Sequence, residues 1–120
     1  MDIRGREFEG WTLIEFDGSL DLHIIQDFKN LFKHLSKQNK NILFDFKNLK
    51  KIDSSGISCL MFGQKILFSN NLKFRISNLN PAVKIVFQIT RGYEIFDIYD
   101  ELEYAISDNV SIEKNKQEVA

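Results

Sequence analysis

Apolar positions along the chain change their spacing several times, and each change marks a predicted element. Residues 11–16, Trp-Thr-Leu-Ile-Glu-Phe, read as a strand closed by the turn Asp17-Gly18-Ser19. A shorter strand over residues 3–8 can pair with it as a hairpin through Glu9-Gly10. From Asp21 the spacing becomes helical. Ile24, Ile25, Phe28, Leu31, Phe32 and Leu35 form one stripe, opposite Gln26, Asp27, Lys29, Asn30 and Lys33. Ser19 or Asp21 can cap that helix, and residues 39–41 end it. Residues 42–46, Ile-Leu-Phe-Asp-Phe, have the length and composition of a buried strand, with Asp45 as the exception. An acid there is expected to accept hydrogen bonds from the loop Lys47-Asn48.

A second helix is predicted over residues 54–70, with Ile57, Leu60, Met61, Leu67 and Phe68 as its inner stripe. Residues 74–76 form a further short strand. Pro81 suits the first position of a third helix capped by Asn80, with Ala82, Val83, Val86 and Phe87 turned inward and Arg91-Gly92 closing it. Residues 95–99 read as the last strand, and Asp100 opens a final helix through Leu102, Ala105 and Ile106. Strands alternating with helices imply a parallel or mostly parallel sheet with right-handed crossovers, so the fold class is α/β. Residues 1–108 are expected to form the one domain, and 109–120 a polar tail.

Composition narrows the function without naming it. The chain has 120 residues, 43% hydrophobic and 28% charged, with a net charge of −1. That is ordinary for a globular protein, and it supplies no long-range field to attract nucleic acid or an anionic membrane. The lysines between Lys33 and Lys51 are diluted by Asn and Asp and read as solvated surface. Cys59 is the one cysteine, which excludes an internal disulfide; among Ile57, Leu60 and Met61 it reads as a small buried hydrophobe. The N-terminus lacks the apolar core of a signal peptide and no run reaches membrane-spanning length, so a cytoplasmic protein without direct membrane insertion is expected.

An enzymatic reading finds no support in these residues. His23 and His34 flank the apolar stripe of the first helix, and nothing pairs them with a serine as a hydrolase triad. Asp53 is separated from Gly56 by two serines rather than by the one hydroxyl residue of an aspartic protease. No metal-ligand cluster and no glycine-rich phosphate loop are present, so no metal and no cofactor are expected.

The distinctive segment is Ile52-Asp53-Ser54-Ser55-Gly56-Ile57. A hydrophobic segment ends there in an acid, two hydroxyls and a glycine, and another apolar segment begins at once. At a strand-to-helix junction those hydroxyls lie beside unpaired backbone N–H groups and the positive end of the helix dipole, which favour added negative charge. A serine so placed suits a phosphate. Helix capping alone would also account for Asp53, Ser54 and Gly56.

Taken in order, Asp17-Gly18-Ser19-Leu20-Asp21, Leu43-Phe44-Asp45-Phe46, the segment from Ile52 to Ile57, Asn80-Pro81-Ala82-Val83, and Gly92 with Phe96 resemble the STAS domain family. Its best-known bacterial members are anti-sigma factor antagonists. The resemblance runs from about Ile3 to Ser107 and implies a single STAS-type domain with a mostly parallel or mixed sheet and about four helices. It also implies that Ser55 is phosphorylated by a partner that is both an anti-sigma factor and a serine kinase. Asp53 and Ser54 would shape that loop and meet the kinase. Asp21, in the Gly-x-Leu-Asp turn, would lie beside it, and Gly56, Ile57 and Met61 are assigned to the same partner surface. By this likeness the unmodified protein holds the anti-sigma factor and frees sigma, the phosphorylated form lets go, and a phosphatase resets the cycle. A different expectation is a STAS accessory subunit of a membrane transport complex such as a lipid-transport ATPase, in which Ser55 carries no phosphate.

Overall fold

The computed structural model of the chain describes residues 1–107. Asp108, which closes the expected domain, and the expected tail 109–120 lie outside the described residues. A five-stranded sheet runs in the order β1 (Asp2–Phe8), β2 (Trp11–Leu20), β3 (Ile42–Ile52), β4 (Phe74–Ser77), β5 (Asp97–Tyr99). β1 and β2 form the antiparallel hairpin that the sequence predicts. Its turn holds Glu9 at φ 50° and Gly10 at φ 85°. From β2 to β5 each successive pair of strands is parallel.

The crossovers are α1 (Ile25–Ser36), α2 (Ser54–Ser69), and the pair α3 (Pro81–Ile89) and α4 (Gly92–Ile95); α5 (Leu102–Ile106) follows β5. Because each new strand is added on the same side of the last, α1 to α4 share one face of the sheet. Period-2 alternation sorts the strand residues between the two faces. Ile14, Phe16, Ile42, Phe44, Phe46, Phe74, Ile76 and Ile98 meet Phe28, Phe32, Leu35, Leu60, Leu67, Val83 and Phe87 in the main core. Phenylalanines dominate this layer, with Phe44 packed edge-on to Phe74 at 4.9 Å and to Phe16 at 4.8 Å between ring centres. The opposite face carries a smaller cluster of Trp11, Leu13, Leu43, Tyr99 and Ala105, capped by α5. Arg75 is buried there, its guanidinium 4.9 Å from the Trp11 ring centre and 5.6 Å from that of Tyr99, and it donates to the Ala105 carbonyl. Among the described residues no helix is long and apolar enough to cross a membrane.

Several elements differ from expectation, each for a physical reason. β2 does not turn at Asp17-Gly18-Ser19; two register shifts carry it through to Leu20, opposite a β3 that continues past Phe46 to Ile52. Met61 and Phe68 are 45% and 49% exposed rather than on the inner stripe. α2 is apolar nearly all round, so periodicity alone does not orient it. Ala82 is exposed on α3, and Ile95 ends the short α4 instead of opening β5. Asp45 accepts from Lys47 N–H at 2.9 Å as expected, and also from Asn78 Nδ2 at 3.2 Å, which ties β3 to the loop after β4.

Candidate functional site

The extended β2–β3 pairing builds the site. Ser19 is opposite Lys51 and Leu20 opposite Ile52, so the next residue of each segment, Asp21 and Asp53, leaves the same end of two adjacent parallel strands. The carboxyl ends of parallel strands are where open α/β sheets place their binding surfaces. Each acid then starts a helical segment. Asp21 Oδ1 accepts from His23 N–H at 3.0 Å and opens a single turn of tighter helix, Leu22–Ile24, that leads into α1. Asp53 Oδ1 accepts from Gly56 N–H at 3.0 Å and caps α2, while its carbonyl accepts from Ile57 N–H at 3.1 Å.

Ser54 and Ser55 are therefore the first two residues of α2. Their N–H groups have no acceptor within the helix, and the aligned peptide dipoles of 16 residues point their positive end at this turn. Ser54 is exposed and Ser55 half-buried, so both hydroxyls lie within reach of the surface.

Gly56 is buried, and its role differs from the backbone freedom that a loop glycine supplies. A Cβ there would stand 2.7 Å from Ile52 Cγ1, 2.9 Å from the Leu20 carbonyl oxygen and 3.0 Å from Leu20 Cγ. Its absence lets the start of α2 settle onto the ends of β2 and β3. Ile57 is 4% exposed and packs inward, as its place on the inner stripe predicts, so it and the buried Gly56 lie beneath the surface to which the resemblance assigns them. Met61 stays available. It lies two helical turns beyond Ser54, on the same face as Ser54 and the exposed Ser58. A depression of about 270 Å³, lined by Leu20, Asp21, Leu22, His23, Lys51 and Asp53, joins the two acidic turns. Lys51 reads in the sequence only as solvated surface, and Leu22 carries no signal of its own, since a leucine between Asp21 and His23 does not disclose that it is exposed.

Cys59 is 2% exposed, and burial pushes its thiol up from an ordinary 9.0 to about 11, so it is no nucleophile at neutral pH. Among the described residues no group of His, Cys, Asp and Glu could hold a metal ion.

The sequence pattern of the STAS domain family matches residues 2–105. The chain belongs to this family. Similar to this STAS domain is an anti-sigma F factor antagonist of Paenibacillus polymyxa, 22% identical over 110 residues that make up 90% of this chain and 94% of that one. Among solved structures, a candidate anti-sigma factor antagonist of Thermotoga maritima superposes with a TM-score of 0.80 at 19% identity, covering 88% of this chain and 92% of that one. The Bacillus antagonist SpoIIAA has been solved both unphosphorylated and phosphorylated. The first gives a TM-score of 0.69 at 21% identity over 85% of this chain and 91% of SpoIIAA. The second gives 0.61 at 18% identity over 99% and 100%. At these identities the structural likeness establishes the STAS fold.

Proposed function

We propose that this STAS domain is an anti-sigma factor antagonist: a cytoplasmic binding protein whose unmodified form grips an anti-sigma factor with serine kinase activity, and whose grip is released by phosphorylation of Ser55. The observation that carries the reading is the position of Ser55, a surface-reachable hydroxyl at the second residue of α2. It lies immediately after the capping Asp53 and on the strand end shared with Asp21. The P. polymyxa relative supports the antagonist part of this reading. In the modification, a bond forms from Ser55 Oγ to the γ-phosphorus of ATP as the bond to ADP breaks, and the hydroxyl proton leaves to a base on the kinase. Ser55 is thus a substrate rather than a catalyst, and a phosphatase is needed to restore it.

The physics of release is local. A phosphoryl group adds about −1.5 to −2 charges. The start of α2 tolerates that charge through its dipole and unpaired N–H groups, so the fold survives. A docked protein does not, because the new charge and bulk stand where its surface must close against Asp53 and Asp21. A loss of about 3 kcal/mol there weakens binding more than a hundredfold. Asp21, Asp53, Ser54 and Met61 form the contacting surface, with Gly56 and Ile57 holding it from beneath.

The test uses Ser55→Ala and Ser55→Glu. The alanine variant is expected to remain bound to an ATP-binding serine kinase through co-purification, and the glutamate variant to lose it. Mass spectrometry of the unmutated protein from growing cells should place a phosphate on Ser55. Equal binding of both variants to the kinase, or stable recovery of a transporter ATPase instead, would overturn the proposal.

A further inference from the structure

Leu22 is 70% exposed, yet the residues around it are anchored. Leu20 is fully buried, and Ile24 and Ile25 pack against the main core. Asp21 fixes the turn between them through its carboxylate to His23 N–H and its carbonyl to Ile24 N–H at 3.2 Å. A single leucine in water is ordinary on a protein surface. This one differs in being held out on a braced turn, so little ordering remains to be done when something packs on it. It also lines the depression that runs from Asp21 to Asp53. Lys51 lines the same depression as Asp21 and Asp53, so the apolar side chain stands inside a rim of mixed charge and calls for a complement that is apolar at its centre and carries both basic and acidic groups at its border.

We infer that Leu22 is the apolar anchor of the docking surface, seated in an apolar cup on the anti-sigma factor whose border carries basic groups facing Asp21 and Asp53 and an acidic group facing Lys51. This rests on the functional reading above and adds to it a contact that the phosphorylation loop does not contain. Buried anchors of this kind carry a disproportionate share of interface energy, while surrounding polar contacts mostly exclude water and set orientation. Phosphorylation of Ser55 and removal of Leu22 would thus weaken the same complex by different routes, one by added charge and bulk, the other by lost apolar burial.

The experiment titrates the purified kinase against Ser55→Ala protein, with and without Leu22→Ala, by calorimetry. The second change should raise Kd by about tenfold to a hundredfold and leave the melting temperature essentially unchanged, since an exposed leucine packs little. Ile89→Ala is the control. Ile89 is 77% exposed at the far end of α3, away from the strand ends that carry the site, and its loss should leave Kd within about twofold. Leu22→Ala binding as tightly as its parent, or Ile89→Ala weakening as much, overturns the anchor while the Ser55 switch stands. If Ser55→Ala itself fails to bind the kinase, or Ser55→Glu binds equally, the functional reading falls and the anchor with it.

Discussion

Gly56→Ala tests whether the start of α2 depends on close packing or on a pliable backbone. On an isolated helix the change would stabilise, because glycine is less favourable than alanine by up to about 1 kcal/mol. In this fold the new Cβ meets Ile52 Cγ1 at 2.7 Å and two atoms of Leu20 at 2.9 and 3.0 Å, against the 3.5–4.0 Å or so that carbon atoms prefer. One of those atoms is the Leu20 carbonyl oxygen. It belongs to a backbone paired with β3 through Leu20 and Ile52, so it cannot rotate away as a side-chain tip would. Overpacking of this kind costs roughly 1–3 kcal/mol, which outweighs the propensity gain. A net loss of about 1–2 kcal/mol lowers the melting temperature of a domain this size by roughly 5–10 °C. The start of α2 must also lift from the sheet, drawing Asp53 away from Asp21, so affinity for the proposed anti-sigma factor should fall further than stability alone explains. Thermal unfolding followed by circular dichroism, with a binding titration at 20 °C, reads both effects. A melting temperature equal to or above the parent's would refute the reasoning, because the propensity term would then have won and the seat of α2 would be loose.

Two further outcomes follow from the buried polar groups. The Cys59 thiol keeps its proton to higher pH in the folded chain than in the unfolded one, chiefly through burial, with the Lys29 charge opposing in part. Its contribution to stability is therefore complete below about pH 9 and lost as the pH rises towards about 11; iodoacetamide at pH 8 should label it only in denaturant, and the decline above pH 9 should be shallower in Cys59→Ala. Arg75→Ala removes the cation between Trp11 and Tyr99 and strands the Ala105 carbonyl, for a loss of about 3 kcal/mol in urea unfolding and a red shift of Trp11 emission as α5 loosens; an unchanged midpoint would show that α5 holds without it.

The elements that the sequence disclosed were those whose side chains announce their surroundings. The α1 stripe of Phe28, Phe32 and Leu35 is buried as its spacing requires, and Asn80 caps α3 through Val83 N–H with Pro81 in the first helical turn. The second half of β3 was hidden because Lys47, Asn48, Lys50 and Lys51 look like a loop, and Asp17-Gly18-Ser19 looks like a turn. Strand pairing is made by backbone groups and does not require apolar side chains, so polar residues at the sheet's end continue the ladder. α2 was located correctly but not oriented, since Met61 and Phe68 are as apolar as the residues that face the core. At the candidate site the motif from Asp53 to Ile57 was legible as a strand-to-helix junction. The inward position of Ile57 was legible too, from its place on the inner stripe; the depth of Gly56 was not, because it depends on Leu20 and Ile52 arriving from two separate strands.

The parallel run from β2 to β5 gives the molecule two poles with different freedoms. The acidic turns hang from one, while the Glu9-Gly10 hairpin tip and the Asn39 bend belong to the other, at the beginnings of the strands. Fluorophores, affinity handles or fused reporters attached at Glu9 or Asn39 would therefore trail behind any captured protein instead of standing in its way. On the proposed function, a sensor of sigma-factor signalling could be assembled from this chain without altering a residue of the end that carries Asp21 and Asp53.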